Sequence, residues 1–268
     1  MGFWRQHFIP NNAALIVAGD ISMSELRGLV EKAFASWPRG NSVQPALGAP
    51  DTTRARIVIV DKPGAPQTQV RVAGIGAARS SPDFRALQVM NNALGGLFSS
   101  RINMNLREEH GYTYGASSQF IFRRSAGPFV VAGGIRTDVT APAVTEIFKE
   151  IAGMLDRPMM QDELLKAKDA LANSLPGAFE TSVNTVNSFS NIFVYDLGLD
   201  YYTRYAQEVN AVTSEQVLAV ARRYIVPDRL VVIAVGDRNV IEAELRKLNL
   251  GTVEIRDVEG RPASSSSL

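Results

Sequence analysis

The spacing of apolar residues along this chain changes several times, and each spacing predicts a different kind of element. Alternation predicts strands at Arg56 to Asp61 and Gln69 to Gly76, and short apolar runs predict two more at Phe129 to Ile135 and Leu230 to Val235. Apolar residues three and four positions apart predict helices elsewhere. These helices are expected at Asp83 to Leu94, Val144 to Ile151, Glu163 to Leu175, Val183 to Tyr195, Tyr202 to Val209, after a cap at Thr213, and at Ile241 to Leu248.

The order of these elements predicts the class of fold. The strands come in adjacent pairs, whereas most of the helices follow one another after Val139. This arrangement is typical of an α+β fold, in which a mostly antiparallel sheet packs against a block of helices.

The most specific pattern lies between Leu94 and Ser118. It predicts a short helix between two glycine stops, followed by a strand that begins at Tyr112. The signals are, in order, a helix end at Gly95-Gly96, a cap at Ser99 or Ser100, an apolar stripe at Ile102 and Leu106, and a second helix end at Gly111.

Two polar side chains lie at the junction of that helix and strand. Arg107 is near the end of the helix and Tyr114 is just inside the strand, where alternation places Tyr112, Tyr114 and Ala116 on one face. A cation and a phenol in these positions can point into one cleft. The plain alternative, from the pattern alone, is a surface arginine beside a half-buried tyrosine.

The beginning of the chain repeats a phrase found near its end. Phe8-Ile9-Pro10 followed by LIVAGD resembles Ile225-Val226-Pro227 followed by VIAVGD, and a helical pattern comes after each phrase. In the first copy, Ala13 to Ala18 predicts a strand, and Ser22 with Glu25 predicts a capping box before a helix with one apolar face. The alternative is that strand-Gly-Asp-helix recurs by chance.

If the repeat is a duplication, the chain holds one complete copy and the end of another. We then expect residues 1–40 to be the tail end of a truncated first homologous domain, and 41–53, rich in proline, glycine and small residues, to be a linker. Residues 54–260 form the second domain, and 261–268 form a disordered tail.

Composition excludes several classes of partner and site. Lys and Arg number 28 against 27 Asp and Glu in 268 residues, so no basic excess indicates nucleic-acid binding. The absence of cysteine removes thiolate nucleophiles and Cys-based metal sites. The longest apolar run, Leu230 to Val235, is far below the roughly 20 residues that a membrane span needs.

No complete set of catalytic residues can be found in the chain. A zinc helix needs two histidines at helical spacing, but His7 and His110 are far apart, so we expect both at the surface and no metal in this chain. Gly74-Ile75-Gly76 lacks the third glycine of a dinucleotide-binding loop and is interpreted as a tight strand end. Arg123-Arg124 is interpreted as charge at the rim of the fold rather than as a basic binding patch.

The chain resembles the second half of an insulinase/pitrilysin-family zinc metallopeptidase, whose two homologous α+β halves close like a clamshell around a peptide. The resemblance runs from about residue 7 to about residue 250. The residues that carry it are Gly95-Gly96, Ser99-Ser100-Arg101, Leu106-Arg107-Glu108-Glu109, Gly111, Tyr114-Gly115-Ala116-Ser117-Ser118, and the phrase at 10–20.

The resemblance implies an accessory role in peptide hydrolysis. In the family, the first half carries an H-x-x-E-H zinc helix and the second lends an Arg and a Tyr seven residues apart, as Arg107 and Tyr114 are here. The corresponding helix, Asp83 to Leu94, has no histidine. We therefore expect a non-catalytic half without zinc, partnered by a peptide substrate and by a zinc-bearing catalytic half in the same parent chain or in another subunit.

Other functions stay open. A structural subunit on the same fold, as in respiratory-complex core subunits, is the main rival, although retention of both Arg107 and Tyr114 favours the peptidase role. An independent enzyme is the least favoured. The chain is expected to be soluble, in the cytoplasm or, in a bacterium, the periplasm.

Overall fold

A computed structural model describes residues 2–41, 48, 50 and 54–262 of the chain. Most of the predicted linker at 41–53 and most of the predicted tail at 261–268 lie outside the described residues. The chain divides into two compact units, one made of Met1–Gly48 with Asn173–Arg204 and the other of Ala49–Ala172 with Tyr205–Leu268. The predicted domain limits at 40, 53 and 260 stay a prediction.

The larger unit is built on a mixed sheet, to which the described residues contribute six strands in the order β3-β4-β2-β5-β1-β6. The pairings β3/β4, β4/β2 and β2/β5 are antiparallel, and β5/β1 and β1/β6 are parallel. The predicted α+β fold is confirmed. The strands are β1 Arg56–Asp61, β2 Gln67–Ile75, β3 Thr113–Phe120, β4 Pro128–Arg136, β5 Val231–Gly236 and β6 Thr252–Arg256.

Helices of the expected pattern follow the strands. The predicted capping box of Ser22 and Glu25 is present, and the predicted cap at Thr213 forms a second capping box with Gln216. The helices are α1 Gly2–His7, α2 Met23–Phe34, α3 Phe84–Asn91, α4 Arg101–Asn103, α5 Thr140–Asp156, α6 Gln161–Ser174, α7 Ser182–Tyr195, α8 Tyr201–Asn210, α9 Ser214–Tyr224 and α10 Arg238–Lys247.

The core of the larger unit lies between the sheet and its helices. Alternate residues of β2, including Val70 and Val72, are buried, as are Phe129 of β4 and Ile147 and Ile151 of α5. Helix α9 contacts both α3 and α5, and α5 also contacts β2 and β4. Burial of these side chains supplies the main driving force for folding.

In the smaller unit, one expectation is wrong. Residues 13–18 form no strand in the part of the chain that the structure describes. Helix α2 forms as predicted, yet none of its residues is buried, and Leu29 and Phe34 on its apolar side are exposed. In the portion of the chain that the structure describes, no helix is long and apolar enough to cross a membrane.

Candidate functional site

The central stretch folds as two helical segments joined by a turn and followed by β3. Helix α3 continues into a wider π-helical turn at Asn92–Gly96, and α4 continues into another at Met104–Glu109. Such turns often accompany functional sites. The first of them packs tightly on β3, since a Cβ on Gly95 would lie 2.4 Å from the backbone nitrogen of Ser118.

An ion pair and two side-chain hydrogen bonds anchor the second helical segment to its neighbours. Arg101 donates two hydrogen bonds to Glu163, at 2.6 and 2.7 Å, and these bonds raise the pKa of the Arg101 guanidinium. Buried Asn105 donates to both Glu146 and Glu150 at 2.8 Å. The segment that carries Arg107 is therefore fixed from two sides.

A charged network surrounds Glu146 on helix α5. Hydrogen bonds from Lys149 and then from Asn105 hold the pKa of the Glu146 carboxyl below its ordinary value. The Nε2 atom of His110 lies 3.8 Å from the same carboxylate, and the His110 ring stacks on Tyr112 with the ring centroids 4.9 Å apart. His110 thus packs beside the turn that leads into β3.

Arg107 lies at the surface on the π-helical turn. Its side chain is 39% exposed, and its guanidinium carbon lies 4.6 Å from the ring centroid of Phe98. The Nε atom is 3.2 Å from Glu108. Stacking on Phe98 uses the face of the guanidinium, whereas its N–H donors point outward in the plane of the group.

Tyr114 is far more exposed than a half-buried strand tyrosine, with 89% of its surface accessible. The predicted alternation of Tyr112, Tyr114 and Ala116 is wrong, because β3 carries an extra residue between Thr113, which pairs with Ile135, and Ala116, which pairs with Gly133. A β-bulge of this kind turns a side chain away from the regular pleat. Among the described residues, the Tyr114 hydroxyl has no hydrogen-bond partner.

The bulge is held by the side chain of Thr113. Its hydroxyl donates to the Gly134 carbonyl at 2.7 Å, its oxygen also lies 2.9 Å from the Gly115 carbonyl oxygen, and it accepts the N–H of Gly115 at 3.1 Å. The turn before it is closed by the Tyr112 N–H, which donates to the Leu106 carbonyl at 2.8 Å. Arg107 and Tyr114 therefore lie on the two sides of one tight turn.

The sequence analysis missed Asn103, which joins the parts of this surface. The side chain is buried, its Nδ2 donates to the Phe98 carbonyl at 2.6 Å, and its Oδ1 accepts the N–H of Ala116 at 3.1 Å. The sequence contains one signal for this role, because Asn103 carries an amide beside the apolar stripe, one helical turn before Arg107. Asn103 thus ties the loop with Phe98 to the strand with Tyr114.

The described residues, taken together, contain no group of three or more His, Asp or Glu side chains that would hold a metal ion. His110 lies in the network around Glu146, and His7 lies on α1 in the smaller unit, so the two histidines serve different local environments. The chemistry available at this surface is hydrogen-bond donation by a guanidinium and a phenol.

Comparison with known proteins gives one family. Residues 1–171 match the profile described as "Peptidase M16 inactive domain". The Mycobacterium leprae protein named "Uncharacterized zinc protease ML0855" is 29% identical over 236 residues, which cover 82% of this chain and 50% of that protein. The chain thus spans about half the length of the curated relatives it matches.

Two solved structures have the same fold. The peptidase M16 inactive domain from Pseudomonas fluorescens superposes with a TM-score of 0.74 at 27% identity, covering 82% of this chain and 52% of that one. A chain of Complex III2 from Candida albicans gives a TM-score of 0.75 at 12% identity, covering 92% and 61%. The second likeness concerns the fold alone.

Proposed function

This chain belongs to the peptidase M16 inactive-domain family, and on that premise we propose that it is the non-catalytic, substrate-binding half of a zinc metallopeptidase. Arg107 and Tyr114 complete a composite active site with a homologous catalytic half, in the same parent chain or in a partner subunit. The observation that carries the proposal is Tyr114, an exposed phenol without a hydrogen-bond partner among the described residues, held outward by a β-bulge.

The two side chains suit the recognition of a peptide backbone. Arg107, with its face on Phe98, presents in-plane N–H donors to a substrate carbonyl. Tyr114 donates its hydroxyl to the oxyanion that forms at the scissile bond or to a neighbouring carbonyl. The backbone segments that carry Arg107 and Tyr114 are already fixed before the substrate binds. The two side chains therefore need little conformational ordering at the moment of reaction.

The remaining chemistry belongs to the catalytic half. That half would hold the zinc, which would supply a water activated at neutral pH. This chain binds and orients the peptide, and its hydroxyl donor adds transition-state stabilisation typically equivalent to about 10² to 10³ in rate.

Residues 1–40 are best explained as the tail end of a first homologous domain. Their segment at 13–18 resembles β5 in sequence, and β5 is a central strand of the sheet, whereas their helix α2 leaves Leu29 and Phe34 exposed. A chain extended upstream to include the rest of that domain should bury these side chains. A dye that fluoresces when it binds exposed apolar surface should then give a weaker signal with the longer chain than with this one. An unchanged signal would contradict the assignment of residues 1–40 to a first domain.

A structural subunit on the same fold is the second candidate. Its support is the likeness to a chain of Complex III2. A structural subunit has no need of an exposed arginine and tyrosine at this spacing. The two candidate functions therefore differ in whether Arg107 and Tyr114 bind a substrate.

The test begins with the parent gene. We expect an H-x-x-E-H motif within about 160 to 200 residues upstream, one domain length, or in the neighbouring gene. The half that carries it should hydrolyse a quenched fluorescent peptide library only when combined with this chain. Equal hydrolysis with and without this chain would overturn the proposal, and absence of the motif from both places would favour the scaffold.

A further inference from the structure

Two aromatic side chains are exposed at the surface of the larger unit. In the part of that unit that the structure describes, Phe98 and Tyr114 are the aromatic residues with mostly accessible surfaces, at 64% and 89%. The other described aromatic residues of this unit, such as Phe120 and Phe129, are buried or half-buried. Aromatic residues are enriched in binding surfaces, because they offer a large apolar area with few rotatable bonds. One exposed ring alone would need no explanation, so the position of the two rings relative to each other matters.

A buried amide connects the segments that carry the two rings. The Nδ2 atom of Asn103 donates to the carbonyl of Phe98 at 2.6 Å, and its Oδ1 accepts the N–H of Ala116 at 3.1 Å, two residues after Tyr114. Phe98 itself lies in a turn that is closed by the Ser100 N–H, which donates to the carbonyl three residues before it at 3.0 Å. The backbone that presents both rings is therefore fixed on the two sides of Asn103.

The guanidinium of Arg107 lies against the ring of Phe98. Its central carbon is 4.6 Å from the ring centroid, so one face of the ring is covered, while the exposure of 64% leaves the rest open to solvent. Glu108 lies beside the Nε atom of Arg107 at 3.2 Å, so a carbonyl would be bound by the Nη groups. These donors lie in the plane of the guanidinium, which places such a carbonyl beside the ring. A ligand that is held by Arg107 can thus also reach the exposed part of Phe98.

We propose, on the basis of the proposed function, that Phe98 forms an apolar subsite for a substrate side chain next to the carbonyl that Arg107 binds. Consecutive Cα atoms of a peptide are about 3.8 Å apart. This step is comparable with the 4.6 Å between the guanidinium and the ring. The residue that follows the bound carbonyl therefore places its side chain within reach of Phe98.

The chemistry of this subsite defines a class of substrate. Phe98 takes a large uncharged side chain, above all an aromatic one, because ring-to-ring contact adds to the effect of the apolar area that is buried. A lysine or arginine side chain is disfavoured, since the positive charge of Arg107 lies against the same ring. The ring also orients the Arg107 guanidinium, but that effect acts on every substrate alike. A preference among substrates is therefore the sign of the subsite.

The test uses a preparation that combines this chain with its catalytic half. Quenched fluorescent peptides carry Phe, Ala or Lys at one position, and that position is moved along the peptide. At one position near the cleaved bond, kcat/KM with Phe should exceed kcat/KM with Ala or Lys by about fivefold or more. Phe98→Ala should remove the preference for Phe over Ala at that position. A parent protein without such a preference at any position would overturn the proposal.

Two more variants separate the subsite from the orientation of Arg107. Phe98→Leu keeps an apolar surface, so it should retain most of the preference for Phe while the rate with every peptide falls. Met160→Ala is the control, because it removes a side chain that is 71% exposed elsewhere in the same unit, and it should change neither rate nor preference. All three variants should melt like the parent by circular dichroism. If Phe98→Ala lowers the rates with all peptides by the same factor, the ring only positions Arg107 and the subsite is overturned.

These outcomes are distinct from a failure of the proposed function. Peptide hydrolysis that is the same with and without this chain would overturn the proposed function and the subsite together. Hydrolysis that requires this chain, but keeps its preference for Phe in the Phe98→Ala variant, would overturn the subsite alone.

Discussion

The Oδ1 atom of Asn103 accepts the N–H of Ala116 at 3.1 Å, so a helix side chain closes part of the outer edge of β3. Asn91 does the same two residues further along, where its Nδ2 donates to the Ser118 carbonyl at 3.0 Å. Edge strands are prone to pair with other chains unless they are covered. Two asparagines therefore protect the edge of the strand that presents Tyr114.

Asn103→Ala should destabilise the larger unit. The change leaves the buried N–H of Ala116 and the carbonyl of Phe98 without their partner, which typically costs about 1 to 3 kcal/mol. Chemical denaturation measures the loss. Asn239→Ala, at an exposed position in the same unit, is the control and should change stability by less than about 0.5 kcal/mol. Equal effects of the two changes would contradict the bridging role of Asn103.

Gly95→Ala should also be destabilising, but by a steric route. The new Cβ would meet the Ser118 backbone at 2.4 Å, and backbone cannot move aside as a side chain can, so we expect a loss of about 1 to 3 kcal/mol.

Gly153→Ala supplies the opposite case on helix α5, where the nearest atom to a new Cβ is an Arg101 side-chain nitrogen at 3.7 Å. Alanine should raise the free energy of unfolding there by roughly 0.5 to 1 kcal/mol. Melting of both variants by circular dichroism checks the contrast, and a stable Gly95→Ala variant would show that the π-helical turn does not need this close approach.

Glu146 makes stability depend on pH. Hydrogen bonds from Lys149 and Asn105 lower its pKa in the folded protein, so the stability that it contributes is fully present above the ordinary carboxyl pKa of about 4.3 and is lost as pH falls through the lower folded value. Glu146→Gln should therefore destabilise the protein at pH 7 and much less at pH 3. Denaturation at the two pH values measures this, and an equal loss at both would refute the linkage.

How much could be predicted from the sequence differs between elements. The capping boxes at Ser22 and Thr213 and the helix-turn-strand order around Arg107 depend on local signals, and the structure has them. Strand β6 was not predicted, because Thr252–Arg256 is a short, charged edge segment that becomes a strand by pairing with β1.

The local geometry around Arg107 and Tyr114 could not be predicted from the sequence. The bulge that exposes Tyr114 depends on a bond from Thr113 to Gly134 on the neighbouring strand, which no local pattern contains. The bridge through Asn103 and the stacking of Arg107 on Phe98 likewise need the folded chain. Residues 13–18 form no strand in the described part of the chain for the converse reason, since apolar residues alone do not supply a partner strand.

The most direct measurement of the proposed role compares two tyrosines on the same stretch. In a preparation that contains the catalytic half, Tyr114→Phe should lower kcat/KM for peptide hydrolysis by about 10² to 10³, because a donor to the transition state is lost. Tyr112→Phe, whose ring stacks on His110, should leave the rate within about threefold, the context-dependent scatter of a single contact. Both variants should melt like the parent. A Tyr114→Phe rate equal to that of the parent would contradict the composite active site.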